Sequence, residues 1–458
     1  MSVKDLFRPV DMTQGSPVQK IVQFTIPMLI GNFAQQLYST VDSIIVGRFV
    51  GDNALAAVGT SGPILNLMLV FFIGISTGTS IMVAQYFGAR RKEDLSRSIG
   101  SCITLTAITS LIIMIIGTIM ARPLLRLLNT PDSILDWATS YLQILFLGFA
   151  GCGYYNILGG VLRGLGDSFS ALVYLIVATI LNIVLDYSFV VYFNMGVMGV
   201  ALATIIAQLI SALLTARRLL QMKDIFELKA EYLKPERHYS SKLIRLGLPS
   251  GVTQGIFSLS MIVVQSLTNS FGEMFIAANV IVMRVDGFVM LPAFSFGTAM
   301  TTYAGQNIGA GRMDRVMKGA KSGTVTAMGT SAVIAVLIAL FGKHLMGIFT
   351  TTEVLIETSY HIILILLAGY IAMEVTQCLS GIMRGAGDTV SPMWISIFTS
   401  VIFRVPAAYL LIWLSKTPEQ PQGNFYMLSV SLLCSWLLGA LINLIVFLKG
   451  NWKNKALM

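Results

Sequence analysis

Apolar segments long enough to cross a lipid bilayer account for most of this 458-residue sequence. A helix needs about 20 residues to span roughly 30 Å of hydrocarbon. Twelve segments meet that length: 18–46, 54–86, 98–120, 137–160, 169–193, 197–216, 246–271, 275–303, 322–342, 358–383, 390–414 and 425–448. With 55% hydrophobic and 12% charged residues, the chain could not bury its apolar surface in one water-soluble core. We therefore predict an all-α integral membrane protein with twelve transmembrane helices.

The basic residues indicate how these segments are oriented. Of the 31 Lys and Arg residues, 24 fall on the same side of the membrane as the N-terminus, counting Lys20 at the start of the first span, and two lie deeper within spans. The remaining five lie on the opposite side: Arg48, Arg122, Arg126, Lys343 and Lys416. Because Lys and Arg are retained in the cytoplasm, we predict a multi-pass inner (plasma) membrane protein with both termini cytoplasmic. The net charge of +9 follows from this bias, so we predict no nucleic-acid partner.

The cysteines give no indication of a metal or disulfide framework. Cys102, Cys152, Cys378 and Cys434 all lie in apolar segments and show no CxxC spacing. We therefore expect no cofactor other than a coupling ion, and the partners we expect are drug-like small molecules and the lipid bilayer.

Two short motifs occur twice. The stretch "AQYFGARR" (84–91) resembles "GQNIGAGR" (305–312), and "LRGLGDS" (162–168) resembles "MRGAGDT" (383–389). Both pairs are separated by the same offset of 221 residues. Two separate matches at one offset indicate an internal repeat.

The repeat predicts two lobes. Each half contains six spans, an even number, so both halves enter the membrane in the same direction. We predict an N-lobe (1–216) and a C-lobe (246–458), related by a pseudo-two-fold axis along the membrane normal. The basic segment 217–245 is predicted to be a solvated, partly helical cytoplasmic linker; a regulatory or lipid-headgroup site is the alternative.

Apart from Lys20 at the start of the first span, the spans of the first half contain no basic residue, yet they contain two acids. An ionised group at mid-bilayer costs at least about 2.5 to 3.5 kcal/mol, so Asp42 and Asp186 require an explanation. Asn182 shares a helix face with Asp186, and Thr204 in the sixth span offers a hydroxyl. We predict that these four residues bind the coupling ion, either as a proton-carrying carboxyl pair or as an oxygen site for sodium. The alternative is a set of structural interhelical hydrogen bonds.

The second half contains both acids and bases within its spans. Asp286 and Glu374 have Arg284 and Arg404 as candidate partners for neutralisation. Arg284 and Asp286 are two residues apart and point away from each other on a helix. We regard the four as a candidate second ion or substrate site, with structural ion pairs as the alternative.

The twelve spans and the duplicated motifs together resemble the multidrug and toxic compound extrusion (MATE) family. The resemblance covers essentially the whole chain and is closest to the prokaryotic DinF-type branch. It implies that Asp42, Asn182, Asp186 and Thr204 match a cation-binding cluster, and that Pro27 matches a hinge where the first helix bends. Glu374 falls near an acidic position of the sodium-coupled branch.

This resemblance implies a secondary active multidrug efflux antiporter and not an enzyme. We expect a monomer that exports organic, amphipathic, cationic compounds in exchange for protons or sodium ions by alternating access. A lipid or lipid-linked precursor flippase of the same superfamily is the alternative. A membrane enzyme such as a polyprenyl transferase is disfavoured because the sequence has no DDxxD or HExxH pattern.

Overall fold

The protein is described here by a computed structural model over residues 8–457, and nearly all of that chain is helical. Its contacts divide it into two compact units. The first unit contains the chain up to Asp11 together with Ile26–Gly251, and the second contains Met12–Thr25 together with the chain from Val252 onward. The lobes predicted from the order of the spans are 1–216 and 246–458. They were not defined by contacts, so this division into lobes stays a prediction.

The first unit is built from seven helices and the beginning of an eighth. They are α1 (Pro17–Ile45, belonging here from Ile26), α2 (Asp52–Gly88), α3 (Lys92–Leu127), α4 (Asp132–Leu147), α5 (Phe149–Leu165), α6 (Ser168–Tyr187), α7 (Gly196–Leu220) and α8 (Arg237–Asn269, belonging here up to Gly251).

The second unit takes the beginning of α1, the rest of α8 and seven further helices. They are α9 (Glu273–Val289), α10 (Leu291–Gly309), α11 (Met313–Gly347), α12 (Glu353–Gly385), α13 (Val390–Ile397), α14 (Arg404–Leu414) and α15 (Tyr426–Lys449). A π-helical segment, Phe398–Phe403, joins α13 to α14. The apolar core of the second unit contains Ile362, Leu366 and Trp436.

The predicted all-α membrane fold is confirmed. Within residues 8–457, ten helical segments are long and apolar enough to cross a membrane, and α4 with α5, bent by 51° between them, makes an eleventh. The remaining predicted span is α1, which is 29 residues long and carries polar residues at Asn32, Gln35 and Asp42. Each of the twelve predicted segments thus coincides with a helix, a bent pair or a helix continued by a π-helical segment.

The duplicated "RGxGD" motifs form the same turn in both units. Gly166 and Gly387 adopt left-handed backbone conformations, with φ of +87° and +95°, which glycine adopts without a side-chain clash. Asp167 then accepts hydrogen bonds from the N–H and hydroxyl of the serine three residues later (3.0 and 2.7 Å). Asp388 does the same (3.1 and 2.7 Å). The repeat seen in the sequence is therefore a repeat of local structure.

A basic residue secures each of these turns. The Arg218 Nε donates to Asp167 (3.1 Å), and the Lys455 Nζ donates to Asp388 (3.1 Å). Burial raises the pKa of the Asp167 carboxyl, while the hydrogen bonds from Ser170 and Arg218 oppose that rise. The first turn is thus fixed to the end of α7, and the second to the short segment that follows α15.

Small residues explain why α8 begins in the first unit. A Cβ atom added to Gly74 would lie 2.7 Å from the carbonyl oxygen of Gly247. One added to Gly78 would lie 2.8 Å from the backbone nitrogen of Gly247. Pairs of glycines four residues apart let two helix backbones approach closely. The backbone of α2 therefore contacts that of α8 directly at Gly247 and Gly251.

The basic linker is attached to α3 over part of its length. Lys92 pairs with Glu227 (3.1 Å), and Arg97 pairs with Glu236 (2.6 Å). The Arg97 guanidinium also lies 4.9 Å from the centre of the Tyr232 ring. Lys92 lowers the pKa of the exposed Glu227 carboxyl through their hydrogen bond. The linker thus packs on α3 through these contacts, and its predicted role as a solvated cytoplasmic connection stays a prediction.

Candidate ion-binding site

Two helices of the first unit bring the predicted acids together. Asp42 lies near the end of α1, and Asp186 lies near the end of α6. Each helix continues directly into a π-helical segment, Val46–Val50 after α1 and Ser188–Tyr192 after α6. Such turns interrupt the regular backbone hydrogen-bond ladder and are frequent at functional sites. Both acids therefore stand beside an irregular helix end.

Asn182 lies one turn before Asp186 and connects it to α7. Turned with its nitrogen toward the acid, the Asn182 amide donates to Asp186 Oδ2 (2.8 Å) and accepts from the backbone N–H of Thr204 (3.1 Å). The reverse orientation offers a 3.5 Å contact between Nδ2 and the Thr204 hydroxyl, so we assign the first. Asn182 and Asp186 are 2% and 0% exposed. The Asp186 carboxyl is thus held in a fixed position.

The carboxyl groups of Asp42 and Asp186 lie within interaction range of each other. Two carboxyl groups this close repel each other when both are ionised, so a proton or a cation between them is favoured. The Oδ1 atom of each acid is buried without a hydrogen-bond partner. The ion pairs described for the first unit all involve other acids. The pair therefore has two open acceptor atoms and no fixed cation beside it among the described residues.

Two tyrosines that the sequence analysis did not select lie beside these acids. Tyr38 lies one turn before Asp42 on α1, and its hydroxyl is 3.4 Å from that of Thr204. Tyr141 of α4 is 6% exposed and lies within electrostatic range of both acids. The four-residue spacing of Tyr38 and Asp42 was an available signal, since it places both on one helix face. The sequence gives no such signal for Tyr141, because only the packing of the fold brings α4 close to Asp42 and Asp186.

Apolar side chains border one side of the acids. The Phe49 and Tyr187 rings meet edge to face, with their centres 5.6 Å apart. A buried cluster surrounds the helix ends: Ile45, Val46, Ala54, Tyr141, Leu145, Val190, Val197, Val200 and Ala201. The cluster packs the ends of α1 and α6 together, because it contains Ile45 and Val46 from one and Val190 from the other.

A cavity lies toward the other end of α1. Its empty volume, including the part open to solvent, is about 620 Å³. Its polar lining consists of Asn32, Gln35, Tyr155, Asn156, Arg163 and Thr215, and apolar residues including Pro27, Met28, Leu172 and Leu175 complete it. At one end, Arg163 donates through Nη2 to the Ser76 hydroxyl (2.8 Å). Because Gln35 lies one turn before Tyr38, a single helix lines the cavity and carries Asp42.

The predicted hinge, Pro27, lies inside α1, and the helix continues through it. A proline in a helix interior removes one backbone hydrogen bond and permits a bend. The division between the two units falls beside it, between Thr25 and Ile26. Pro249 of α8, which the sequence analysis did not select, lies equally close to the other division at Gly251. Their separation of 222 residues, one more than the repeat offset, was the missed signal.

The four charged residues predicted in the second half do not form ion pairs with one another among the described residues. Asp286 accepts a hydrogen bond from the Tyr370 hydroxyl. Glu374 is 1% exposed, and its Oε2 has no hydrogen-bond partner. Arg284 is exposed, whereas Arg404 is 3% exposed. Their role as a second ion or substrate site stays a prediction.

Sodium binding would depend on oxygen atoms of the first unit. Among the described residues, no group of three or more His, Cys, Asp or Glu side chains could hold a metal ion. Hard cations prefer oxygen ligands. In the assigned orientation the Asn182 amide turns its nitrogen toward Asp186, so the oxygens open to an ion are the carboxyl oxygens of Asp42 and Asp186 and the Thr204 hydroxyl. Sodium at this place stays a prediction beside the proton.

Comparisons with known proteins agree on one family. A family model described as MatE matches the chain twice, over residues 27–188 and 249–410. The probable multidrug resistance protein YoeA of Bacillus subtilis (strain 168) is 31% identical over 400 residues, which cover 86% of each chain. The probable multidrug resistance protein YpnP of the same strain is 30% identical over 408 residues, or 89% of this chain and 91% of that one.

The fold has also been seen before. A solved outward-facing conformation of a multidrug resistance MATE family transporter of the MOP superfamily superposes with a TM-score of 0.89. It is 24% identical and covers 96% of this chain and 97% of its own.

Proposed function

Since the chain belongs to the MatE family, we propose that it is a secondary active multidrug efflux antiporter. It exports organic, amphipathic, predominantly cationic compounds in exchange for protons or sodium ions. We place it nearest the DinF-type branch, as a monomer in the inner membrane with both termini cytoplasmic.

The observation that carries this proposal is the unneutralised carboxyl pair of Asp42 and Asp186. Both acids lie within the helical part of a membrane protein, where a charge is expensive and is usually retained for function. Each still has one buried oxygen without a partner. A proton or a sodium ion would satisfy these oxygens, and its departure would leave them charged. The pair therefore suits reversible ion binding better than a permanent structural contact.

The energetics explain why export needs such an ion. Moving a monovalent cation outward against an inside-negative potential costs roughly 2.3 kcal/mol per 100 mV. Exchange for one inward-moving proton cancels this electrical term. The remaining driving force is the pH difference, about 1.4 kcal/mol per unit.

Helix α1 is the element that couples ion to substrate in this proposal. It contributes Asp42 to the carboxyl pair and both Pro27 and Gln35 to the cavity. When the acids take up the ion in the outward-open state, α1 shifts at Pro27 and the cavity lining changes, so the substrate leaves outward. Release of the ion in the inward-open state restores the lining. The mixed polar and apolar lining suits amphipathic compounds.

Reconstituted protein tests the proposal. Transport of a fluorescent organic cation is measured in liposomes under an imposed pH gradient and then a sodium gradient. We expect one of the gradients to drive transport by wild-type protein and neither to drive it with Asp186→Asn. Asp136→Asn is the matched control, because Asp136 is exposed and pairs with Arg122 at 3.0 Å; it should transport normally. Efflux that survives neutralisation of both Asp42 and Asp186 would refute ion coupling through this pair and favour the flippase alternative.

A further inference from the structure

Arg404 is a buried basic residue of the second unit whose guanidinium has few hydrogen-bond partners. It begins α14, directly after the π-helical segment Phe398–Phe403. Its side chain is 3% exposed, and its Nε atom is buried without a hydrogen-bond partner. A guanidinium has five N–H donors. Among the described contacts, Arg404 makes one hydrogen bond, from Nη1 to the Ser260 hydroxyl at 3.4 Å.

The backbone carbonyl groups near Arg404 do not depend on hydrogen bonds from its guanidinium. A π-helical turn releases carbonyl groups from the regular ladder, and an arginine could serve to satisfy them. Here hydroxyl groups do so: Ser260 donates to the carbonyl oxygen of Ser400 (2.6 Å), and Ser435 donates to that of Thr399 (2.8 Å). Stabilising the irregular helix therefore does not account for the arginine.

The acids of the second unit do not neutralise it either. Asp286 is hydrogen-bonded to Tyr370, and neither Asp286 nor Glu374 forms an ion pair with Arg404 in the described part of the chain. An ionised group in such a position is costly unless it is paired. A partner from outside the protein would remove that cost.

The free atoms of the guanidinium define the partner's shape. Ser260 occupies Nη1, so the edge formed by Nε and Nη2 makes no hydrogen bond among the described contacts. Two parallel N–H groups along one edge match the two oxygens of a carboxylate. Ser260 is 1% exposed and fixes the opposite side of the group. The site thus combines an oriented cation with an unused bidentate edge.

We propose that Arg404, held by Ser260, is a carboxylate-binding subsite that accepts the anionic group of zwitterionic amphipathic substrates. This inference rests on the proposed efflux function, and it extends the substrate range from cations to molecules that carry both charges. A substrate carboxylate neutralises the guanidinium, so zwitterions gain affinity that their esterified forms lack.

A matched pair of dyes tests the subsite. Rhodamine 110 carries a carboxylate, and rhodamine 123 is its methyl ester; binding of each to detergent-solubilised protein is followed by fluorescence anisotropy without any gradient. We expect Arg404→Gln to weaken rhodamine 110 binding about tenfold, as for a lost charged hydrogen-bonded pair, and to change rhodamine 123 binding less than twofold. Lys416→Gln, which removes an exposed basic residue of the same unit, should affect neither dye. Equal weakening of both dyes, or none, would overturn the proposal.

Two further measurements keep the test decisive if Arg404→Gln does not fold. Ser260→Ala should weaken rhodamine 110 selectively, and benzoate should displace rhodamine 110 but not rhodamine 123 from wild-type protein. Displacement of both dyes alike, or of neither, would contradict a carboxylate subsite. Because binding is measured without transport, a failure here is distinguishable from a failure of ion coupling, which the Asp186→Asn liposome assay reports.

Discussion

The two halves of the chain share their polar turns but differ within the membrane. Gly166 and Gly387 form equivalent left-handed turns, yet the carboxyl pair has no counterpart in the second half. At the repeat offset of 221 residues, Asp42 is matched by Val263 and Asp186 by Ala407, and a shift of one residue again gives valine and alanine. The turns are therefore repeated in both halves, whereas the carboxyl pair occurs in the first half alone.

The asymmetry also runs in the other direction. Glu374 and Arg404 correspond to Gly153 and Ile183 at the same offset. The first half thus contains an acid pair without a cation, and the second half contains a buried cation without an acid beside it. This contrast favours separate tasks, with the coupling ion in the first half and a substrate contact in the second.

Exchanging the acids for the residues of the second half should have the largest effect. The double variant Asp42→Val and Asp186→Ala removes both acids of the proposed ion site, and we expect transport to fall to the rate of protein-free liposomes under either gradient. Glu374→Gln should retain gradient-driven transport, because the acid pair is intact. Initial rates in liposomes measure both. If the double variant still transports and Glu374→Gln does not, the coupling ion binds in the second half.

A smaller effect is expected from the asparagine that orients Asp186. Asn182→Leu removes the 2.8 Å hydrogen bond to the carboxyl, and loss of such a supporting contact typically lowers ion affinity ~10-fold. The measurement is the proton or sodium concentration that gives half-maximal transport. Asn443→Leu is the control, since Asn443 is a buried asparagine of the second half that bonds Ser380 at 2.7 Å. An equal shift in both variants would mean that the effect is general destabilisation.

The prolines of α1 and α8 allow a third comparison. Alanine is about 3 kcal/mol more favourable than proline in a helix interior, so Pro27→Ala and Pro249→Ala should both raise the thermal unfolding temperature. If bending of α1 couples ion to substrate, Pro27→Ala should also slow transport several-fold, while Pro249→Ala has a smaller effect. Equal slowing would assign the movement to both helices. Unchanged rates in both variants would remove the hinge from the mechanism.

Most of the fold could be predicted from the sequence because each span carries its own signal. Apolar length predicts a membrane helix without knowledge of its neighbours, and the motif offset predicts the repeated turns. The site was only partly predictable: Asp42, Asn182 and Asp186 stood out because polar residues are rare in such segments. Tyr141 did not, since its position near the acids depends on the packing of α4. The missing partners of Arg404 were equally hidden, because pairing between helices is a property of the fold.

Breaking an ion pair of the linker should have the smallest effect of these changes. It tests whether a sequence difference between the halves that lies outside the membrane affects transport. Lys92 pairs with Glu227, whereas the offset places Met313 opposite Lys92. Because Lys92 lowers the pKa of Glu227, folding favours the ionised carboxylate. That stabilisation is present above the ordinary glutamate pKa of about 4.3 and is lost as the pH falls through the lowered pKa. The unfolding temperature of Glu227→Gln should therefore lie slightly below that of wild type at pH 6 and converge with it in acid.

Salt should reduce the same difference, because both side chains are exposed. Transport by Glu227→Gln should equal that of wild type, since the pair lies on the linker, away from the acids of α1 and α6. A transport defect at neutral pH with unchanged stability would instead give the linker a regulatory role. In that case the functional difference between the halves would extend beyond the membrane interior, and the linker contacts with α3 would be the next to remove.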